Sequence, residues 1–232
     1  LHCPAMLREA AIRLVVFDCD GTLVDSQHHI LAAMTAAFRD HGLDPPDAAA
    51  VRSLIGLPLV AIVGRLLPAH PPAAGEALAE RYRQAFFALR QLPDHHEPLF
   101  PGTLEALDGL ERAGFLLGIA TGKARRGLDA VLASHAIADR FVTLQTADRA
   151  PGKPSPVMLQ QAMAEAGADP ASTVLVGDTT FDMQMARNAG VAAVGVAWGY
   201  HPAMELTEAG AVAVIDRFAD LTPLAATLTG GN

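Results

Sequence analysis

Two aspartates, Asp18 and Asp20, stand directly after an apolar run at residues 14–17. Burying a carboxylate at such a place costs roughly several kcal/mol unless a partner compensates its charge. The aspartates are two positions apart, so both side chains project to the same side of an extended backbone, and Gly21 allows a sharp turn after them. Two adjacent carboxylates repel each other, which favours a divalent cation or a shared proton. For this pattern alone, an ordinary acidic turn is the alternative.

A second acidic cluster, Asp178 and Asp182, follows another apolar run at residues 174–176. Asp178 could instead cap the helix that follows this run. If both runs are strands of one parallel sheet, however, the two clusters face each other at its carboxyl edge. Asp18, Asp178 and Asp182 then offer hard oxygen ligands of the kind that Mg²⁺ uses.

Lysine is rare in this chain: among 17 lysine and arginine residues, only Lys123 and Lys153 are lysines. Both follow strand-like runs. A compact ammonium contacts phosphate in a way that the guanidinium of arginine does not reproduce, so both are candidates to bind a phosphoryl group. An ordinary surface lysine is the favoured interpretation at Lys123 but not at Lys153. Thr121 and the Gly122 N–H, at the start of the next helix, are further candidate donors to phosphate.

Six short apolar runs alternate with helix-length segments through most of the chain, which predicts an α/β fold with a parallel sheet covered on both faces. The runs are Leu14–Phe17, Leu116–Ala120, Phe141–Leu144, Thr173–Val176, Ala192–Val196 and Val212–Ile215. In such sheets ligands bind beyond the carboxyl ends of the strands. The acidic clusters and both lysines follow runs of this kind, so the pattern places them at one edge of the sheet.

The segment 27–98 breaks this alternation, because it shows helical periodicity and no convincing strand. Its predicted helices are Ile30–His41, Pro58–Leu67 and Ala73–Leu92. We expect residues 27–98 to form an all-helical domain inserted into an α/β core made of residues 1–26 and 99–232. Helices packed directly on one face of the sheet are the alternative.

Composition excludes several classes of protein. The net charge of −8 argues against a nucleic-acid surface, and 51% apolar residues suffice for a buried core. A run of 18 apolar residues, as a membrane span requires, does not occur. The two cysteines suggest no disulfide framework, and the N-terminal residues do not resemble a secretion signal, so we expect a cytoplasmic protein. A monomer and a homodimer are both compatible with this sequence.

Four segments resemble, in order, the four motifs of the haloacid dehalogenase superfamily: residues 18–26, Thr121-Gly122, Lys153-Pro154 and residues 177–182. The helical segment 27–98 falls where that superfamily inserts its first type of cap domain. Within the superfamily, the sequence is most similar to phosphoglycolate phosphatases and related inorganic pyrophosphatases. One departure is Gly122-Lys123, because many relatives have asparagine directly after the threonine or serine of this motif.

The resemblance implies a doubly wound, Rossmann-like core and a Mg²⁺-dependent phosphatase that works through an aspartyl-phosphate. It implies that Asp18 is the nucleophile, and that Asp20 first protonates the leaving oxygen and then activates water. It assigns the Mg²⁺ site to Asp18, the main-chain carbonyl of Asp20, Asp178 and, in support, Asp182. It assigns phosphoryl binding to Thr121, Gly122 and Lys153.

The implied substrate is a small phosphorylated metabolite, with 2-phosphoglycolate first and pyrophosphate or a phosphosugar, in a phosphatase or a mutase, as alternatives. Substrate contacts are expected from the cap. Arg52 is the candidate there for a carboxylate or a second phosphate, with further cap arginines at 65, 81 and 83.

Three other functions fit this sequence less well. A dehalogenase would leave Asp20 and Asp178 without a role. A phosphonatase needs a cap lysine, which residues 27–98 lack. A phosphorylatable receiver-type signalling module lacks both this cap and an acid two residues after the nucleophile.

Overall fold

The computed structural model describes residues 11–230, and its centre is one sheet of six parallel strands. The strands are β1 Arg13–Phe17, β2 Phe115–Thr121, β3 Phe141–Thr146, β4 Thr173–Gly177, β5 Ala192–Val196 and β6 Ala213–Ile215. Their order is β3-β2-β1-β4-β5-β6, so the chain winds outward from β1 in both directions. The predicted α/β, doubly wound fold is confirmed, and each of the six apolar runs falls on a strand. Residues 1–10 of the predicted core segment lie outside the described residues.

Strand β1 occupies the middle of the sheet because its side chains are apolar on both faces. Val15 and Phe17 belong to one buried cluster, while Leu14 and Val16 belong to another on the opposite face. Such a continuous apolar run is typical of a strand covered by helices on both sides. Strands β2 and β4 pair with β1 on either side, which brings the carboxyl ends of all three strands together.

Helices cover both faces of the sheet. They are α5 Thr103–Arg112, α6 Arg125–Ser134, α7 Val157–Ala166, α8 Thr180–Ala189, α9 Ala203–Ala209 and α10 Leu221–Thr229. Within residues 11–230, no helix is long and apolar enough to cross a membrane.

Four further helices lie between β1 and α5: α1 Gln27–Asp40, α2 Ala48–Arg52, α3 Leu59–Leu66 and α4 Pro72–Arg90. The short helix α2 has no counterpart in the sequence pattern. It begins at Asp47, whose side chain accepts hydrogen bonds from the N–H groups of Ala49 and Ala50. Helix α1 packs against α4, and the buried side chains of this segment form an apolar cluster of their own that includes Met34, Phe38 and Leu78.

Candidate active site

The two acidic clusters meet at the carboxyl edge of the sheet, because β1 and β4 are neighbours. The Asp18 N–H donates to the Val176 carbonyl at 2.9 Å, which fixes the end of β1 against the end of β4. Carboxylate oxygens of Asp18, Asp178 and Asp182 all lie within 4.8 Å of one another, and all three side chains are buried. The structure therefore brings together three of the predicted metal-binding residues.

Two glycines make room for Asp178. Gly21 has a φ of +86°, and a Cβ atom there would lie 2.2 Å from Asp178 Oδ2; at Gly199 a Cβ would lie 2.1 Å from Asp178 Cβ. The Asp178 carboxylate accepts a hydrogen bond from the Thr22 hydroxyl at 2.8 Å and one from the Tyr200 N–H at 2.9 Å. The sequence did not predict a role for Tyr200. Its contact is made by the backbone N–H, which every residue except proline has, so the residue type does not reveal it.

Asp182 is oriented by the start of helix α8. Thr179 and Asp182 form a capping box, in which Asp182 Oδ2 accepts from the Thr179 N–H at 3.1 Å and from its hydroxyl at 2.6 Å. The other oxygen, Oδ1, lies 2.6 Å from Lys153 Nζ, and the same ammonium lies 2.7 Å from Asp18 Oδ2. Lys153 thus bridges two of the three buried carboxylates.

The charges of this cluster do not balance among the described residues. The group contains three buried carboxylates and one ammonium, that of Lys153, which is fully buried and contacts Asp18 and Asp182. Burial and the neighbouring Asp182 and Asp20 outweigh the effect of Lys153 and raise the pKa of Asp18 to about 7. Burial, together with Asp18 and Asp182, also raises the pKa of Asp178. When all three carboxylates are ionised, they exceed the single ammonium by two negative charges, which a divalent cation would neutralise.

Asp20 lies beside this cluster and has different partners. The Ser26 hydroxyl donates to Asp20 Oδ1, and Lys123 Nζ lies 2.9 Å from the same oxygen. The Lys123 side chain is only 9% exposed, so the surface interpretation favoured for this residue from sequence is wrong. Its ammonium also lies 3.7 Å from Glu97 Oε1.

Glu97 links Asp20 to the helical segment through Lys123. Its carboxylate accepts hydrogen bonds from Arg90 at 3.0 and 3.2 Å, and His95 Nε2 lies 3.1 Å away. Burial raises the pKa of Glu97, but Lys123 and Arg90 outweigh it and hold the pKa below its ordinary value. Burial likewise lowers the pKa of Lys123, while Asp20 and Glu97 raise it above the ordinary value. Sequence reasoning missed Glu97, although an acid directly before Pro98 in a returning linker was an available signal.

Comparison with known proteins agrees with this geometry. Residues 15–196 match the model of the haloacid dehalogenase-like hydrolases. The chain belongs to this family. The resemblance drawn from the four motifs is therefore confirmed, and the protein is a hydrolase by family.

Individual relatives cover nearly all of this hydrolase. It is 39% identical over 209 residues to the protein named "Probable phosphatase IndB" of Dickeya dadantii (strain 3937), across 90% of this chain and 91% of that protein. It is 31% identical over 220 residues to the phosphoglycolate phosphatase of Vibrio vulnificus (strain YJ016), across 93% and 96% of the two chains. A solved haloacid dehalogenase-like hydrolase of Bacteroides fragilis superposes with a TM-score of 0.83 at 26% identity, across 92% and 99%.

Two of the three predicted phosphate-binding residues, Thr121 and Gly122, lie at the end of β2, whereas Lys153 lies between β3 and α7. Thr121 is buried there, and its hydroxyl accepts a hydrogen bond from the Lys123 N–H at 3.2 Å. A Cβ atom at Gly122 would lie 2.6 Å from the Gly56 carbonyl oxygen of the helical segment. Glycine is therefore needed at 122 for the close approach of that segment.

The arginines of the helical segment lie in different environments. Arg52 donates to the Gln27 side chain at 3.2 Å and is not among the described residues that line the cavity beside Asp20. Arg81 pairs with Asp40, and Arg65 lies 5.6 Å from the centroid of the Phe181 ring. Arg83 does line the cavity.

That cavity has a volume of about 520 Å³ and opens beside Asp20, between α4 and the loop that leads into α6. Its wall on the core side includes Lys123 and Arg126, whereas α4 contributes Phe86 and Phe87. Asp20, which lies beside the acidic cluster, is part of the lining of this cavity. The cavity is therefore the candidate site for a bound small molecule.

Proposed function

We propose that this hydrolase is a Mg²⁺-dependent phosphatase that hydrolyses a small phosphomonoester through a covalent aspartyl-phosphate on Asp18. The observation that carries the proposal is the grouping of three buried carboxylates around one ammonium, with a fourth carboxylate, Asp20, held separately beside them. The names of the two relatives described above support phosphatase chemistry.

The acidic cluster fits a divalent cation in both donor type and charge. Asp18 and Asp178 offer hard oxygen ligands, and three carboxylates with one ammonium leave two negative charges for a dication to neutralise. By resemblance, the Asp20 main-chain carbonyl completes the protein ligands and Asp182 supports them. When bound, the ion supplies Lewis acidity toward phosphoryl oxygens and reduces the repulsion between anionic nucleophile and anionic substrate.

In the first step, a carboxylate oxygen of Asp18 attacks phosphorus and the bond from phosphorus to the leaving oxygen breaks. Lys153, 2.7 Å from Asp18 Oδ2, stabilises the negative charge of the phosphoryl group. Asp20 gives its proton to the leaving oxygen, so the leaving group departs as a neutral alcohol while the phosphoryl group stays on Asp18. The Lys123 ammonium, 2.9 Å from Asp20, stabilises the carboxylate that remains.

In the second step, the same Asp20 carboxylate takes a proton from water as the water attacks phosphorus. The bond from phosphorus to Asp18 breaks, inorganic phosphate leaves, and Asp20 is protonated again for the next cycle. Thr121, Gly122 and Lys153 are proposed to hold the phosphoryl group through both steps. Because hydrolysis is divided into two displacements, the nucleophile of the first one is a positioned carboxylate instead of water.

The helices of residues 27–98 are proposed to act as a cap over a core formed by residues 1–26 and 99–232. Their own apolar cluster and their contact with Gly122 support this division. Because the Vibrio relative is named phosphoglycolate phosphatase, 2-phosphoglycolate is the reference substrate for this proposal. Pyrophosphate and phosphosugars are the alternative substrates to be measured beside it.

The test is phosphate release from a panel of small phosphoesters and pyrophosphate, with Mg²⁺ and with a chelator. We expect release only with Mg²⁺, and we expect Asp18→Asn to abolish it while the fold is retained. Acid-quenched wild-type enzyme should carry phosphate on the peptide that contains Asp18. Wild-type rates in Asp18→Asn would remove the nucleophile assignment. A single phosphorylation without repeated turnover would favour a receiver-type signalling module instead.

A further inference from the structure

The cavity beside Asp20 differs from the acidic cluster because its inner cations are already paired. Lys123 lies 2.9 Å from Asp20 and 3.7 Å from Glu97, and Arg90 lies 3.0 Å from Glu97. Arg83 pairs with Glu80 at 3.0 Å on the surface of α4. An anionic group entering this part of the cavity would therefore meet paired cations and two nearby carboxylates.

Arg126 is the cavity-lining cation for which the described residues show no carboxylate partner. It lies at the exposed rim, with its guanidinium carbon 4.5 Å from the centroid of the Phe87 ring. Because the charge is in contact with water, it is screened and attracts an anion weakly. The planar guanidinium group of Arg126 instead enlarges the flat surface that the Phe87 ring forms.

Apart from Arg83, Arg90 and Tyr82, the side chains that line the cap side of the cavity are apolar. Helix α4 contributes Phe86 and Phe87, and helix α3 with the loop before it contributes Leu57, Val60 and Ile62. Phe87 and Val60 are 47% and 50% exposed, so large apolar surfaces are left uncovered at the mouth. Exposed apolar side chains that line one concave space are typical of a ligand site.

We infer that the leaving group of the substrate occupies this cavity beside Asp20, the proposed acid, and is an uncharged alcohol that carries a ring, which packs against the exposed Phe87. This inference rests on the proposed phosphatase function and specifies its substrate class. A two-carbon acid such as glycolate would occupy only a small part of about 520 Å³ and would bring a carboxylate toward Asp20 and Glu97. A ring-bearing alcohol covers the apolar wall and adds no charge.

The first experiment compares phenethyl phosphate, ethyl phosphate and 2-phosphoglycolate, which all release a primary alkyl alcohol. We expect kcat/KM for phenethyl phosphate to exceed the other two values by about 10-fold or more, the discrimination typical of an apolar pocket. Equilibrium binding to Asp18→Asn should rank the three esters in the same order. Equal or better values for ethyl phosphate or 2-phosphoglycolate would overturn the inference and leave the phosphatase proposal intact.

The second experiment replaces Phe87 by alanine. We expect the ratio of kcat/KM for phenethyl phosphate to that for ethyl phosphate to fall about 10-fold. Leu92→Ala is the matched control, because Leu92 is 51% exposed and lies outside the described lining of the cavity, and its ratio should stay at the wild-type value. An unchanged ratio in a folded Phe87→Ala enzyme contradicts the inference. Should none of the esters turn over with Mg²⁺, the proposed function fails, while the binding order on Asp18→Asn still decides the ring preference.

Discussion

The acidic cluster around Lys153 and the cavity beside Lys123 each contain a buried lysine between two carboxylates, but their charges differ. Lys153 contacts Asp18 and Asp182 while Asp178 adds a third negative charge to the same group. Beside Lys123, Glu97 has Arg90 as a second cation. The first region therefore has an excess of carboxylates that a further cation would compensate, whereas the second is compensated by residues of the described chain. In our proposal, this difference separates a site for phosphate and metal from a site for a neutral leaving group.

The largest effect is expected from Lys153→Met. This change leaves two buried carboxylates without their ammonium, so we expect the free energy of unfolding to fall by about 3–5 kcal/mol. We expect kcat to fall by about 10³-fold, because the developing phosphoryl charge loses its cation. Chemical denaturation and phosphate release measure the two effects. Equal free energies of unfolding for Lys153→Met and Lys123→Met would contradict the proposed difference between the two regions.

Asp178→Asn tests whether the unbalanced charge of the acidic cluster binds a dication. In the wild-type enzyme, Mg²⁺ at about 100 times its Kd should add about 2.7 kcal/mol to the free energy of unfolding. In Asp178→Asn we expect this gain to disappear, together with a fall in kcat of about 10²–10³-fold. Thermal unfolding with Mg²⁺ and with a chelator measures the gain. A full Mg²⁺-dependent rise in the Tm of Asp178→Asn would place the metal elsewhere.

Lys123→Met tests the role of the compensated region in proton transfer. Without this ammonium, the Asp20 carboxylate left after protonating the leaving oxygen is less stable, so we expect kcat to fall by about 10²-fold. The loss should be smaller for p-nitrophenyl phosphate, whose leaving oxygen needs less protonation, than for ethyl phosphate. Equal losses on both esters would indicate a structural role. Lys123→Arg, which keeps the charge, serves as the comparison.

The smallest effect is expected from Glu97→Gln. The folded-state pKa of Glu97 lies below its ordinary value, so its ionised form stabilises the fold at neutral pH. We expect the variant to lose about 1–2 kcal/mol of unfolding free energy at pH 7, because Gln keeps the shape but not the charge-assisted hydrogen bonds from Arg90. The difference in unfolding free energy between the variant and the wild type should begin to shrink when the pH falls below the unfolded-state pKa of Glu97. It should be lost once the pH has fallen below the lower folded-state pKa. Denaturation at pH 7 and at low pH measures it, and a pH-independent difference would contradict this account.

The sequence alone determined the sheet and the grouping of its acids. The apolar runs of β1 and β4 are long enough to be buried strands, and Asp18 and Asp178 stand directly after them. Since parallel strands align their carboxyl ends, residue order was enough to predict that these side chains meet. The family could be inferred from the same four segments, because each motif keeps its chemistry within a few consecutive residues.

Only the tertiary structure decided the partners of Lys123. Its ammonium reaches Glu97 from a distant part of the chain, and Glu97 in turn is held by Arg90 at the end of α4. Nothing in the local sequence separates this buried lysine from one exposed on a helix, because burial depends on the helices that pack over it. The cavity is likewise formed by α4 lying across the β2–α6 loop. Contacts between segments distant in sequence leave no local pattern, so the proposed leaving-group site could be recognised only in the folded chain.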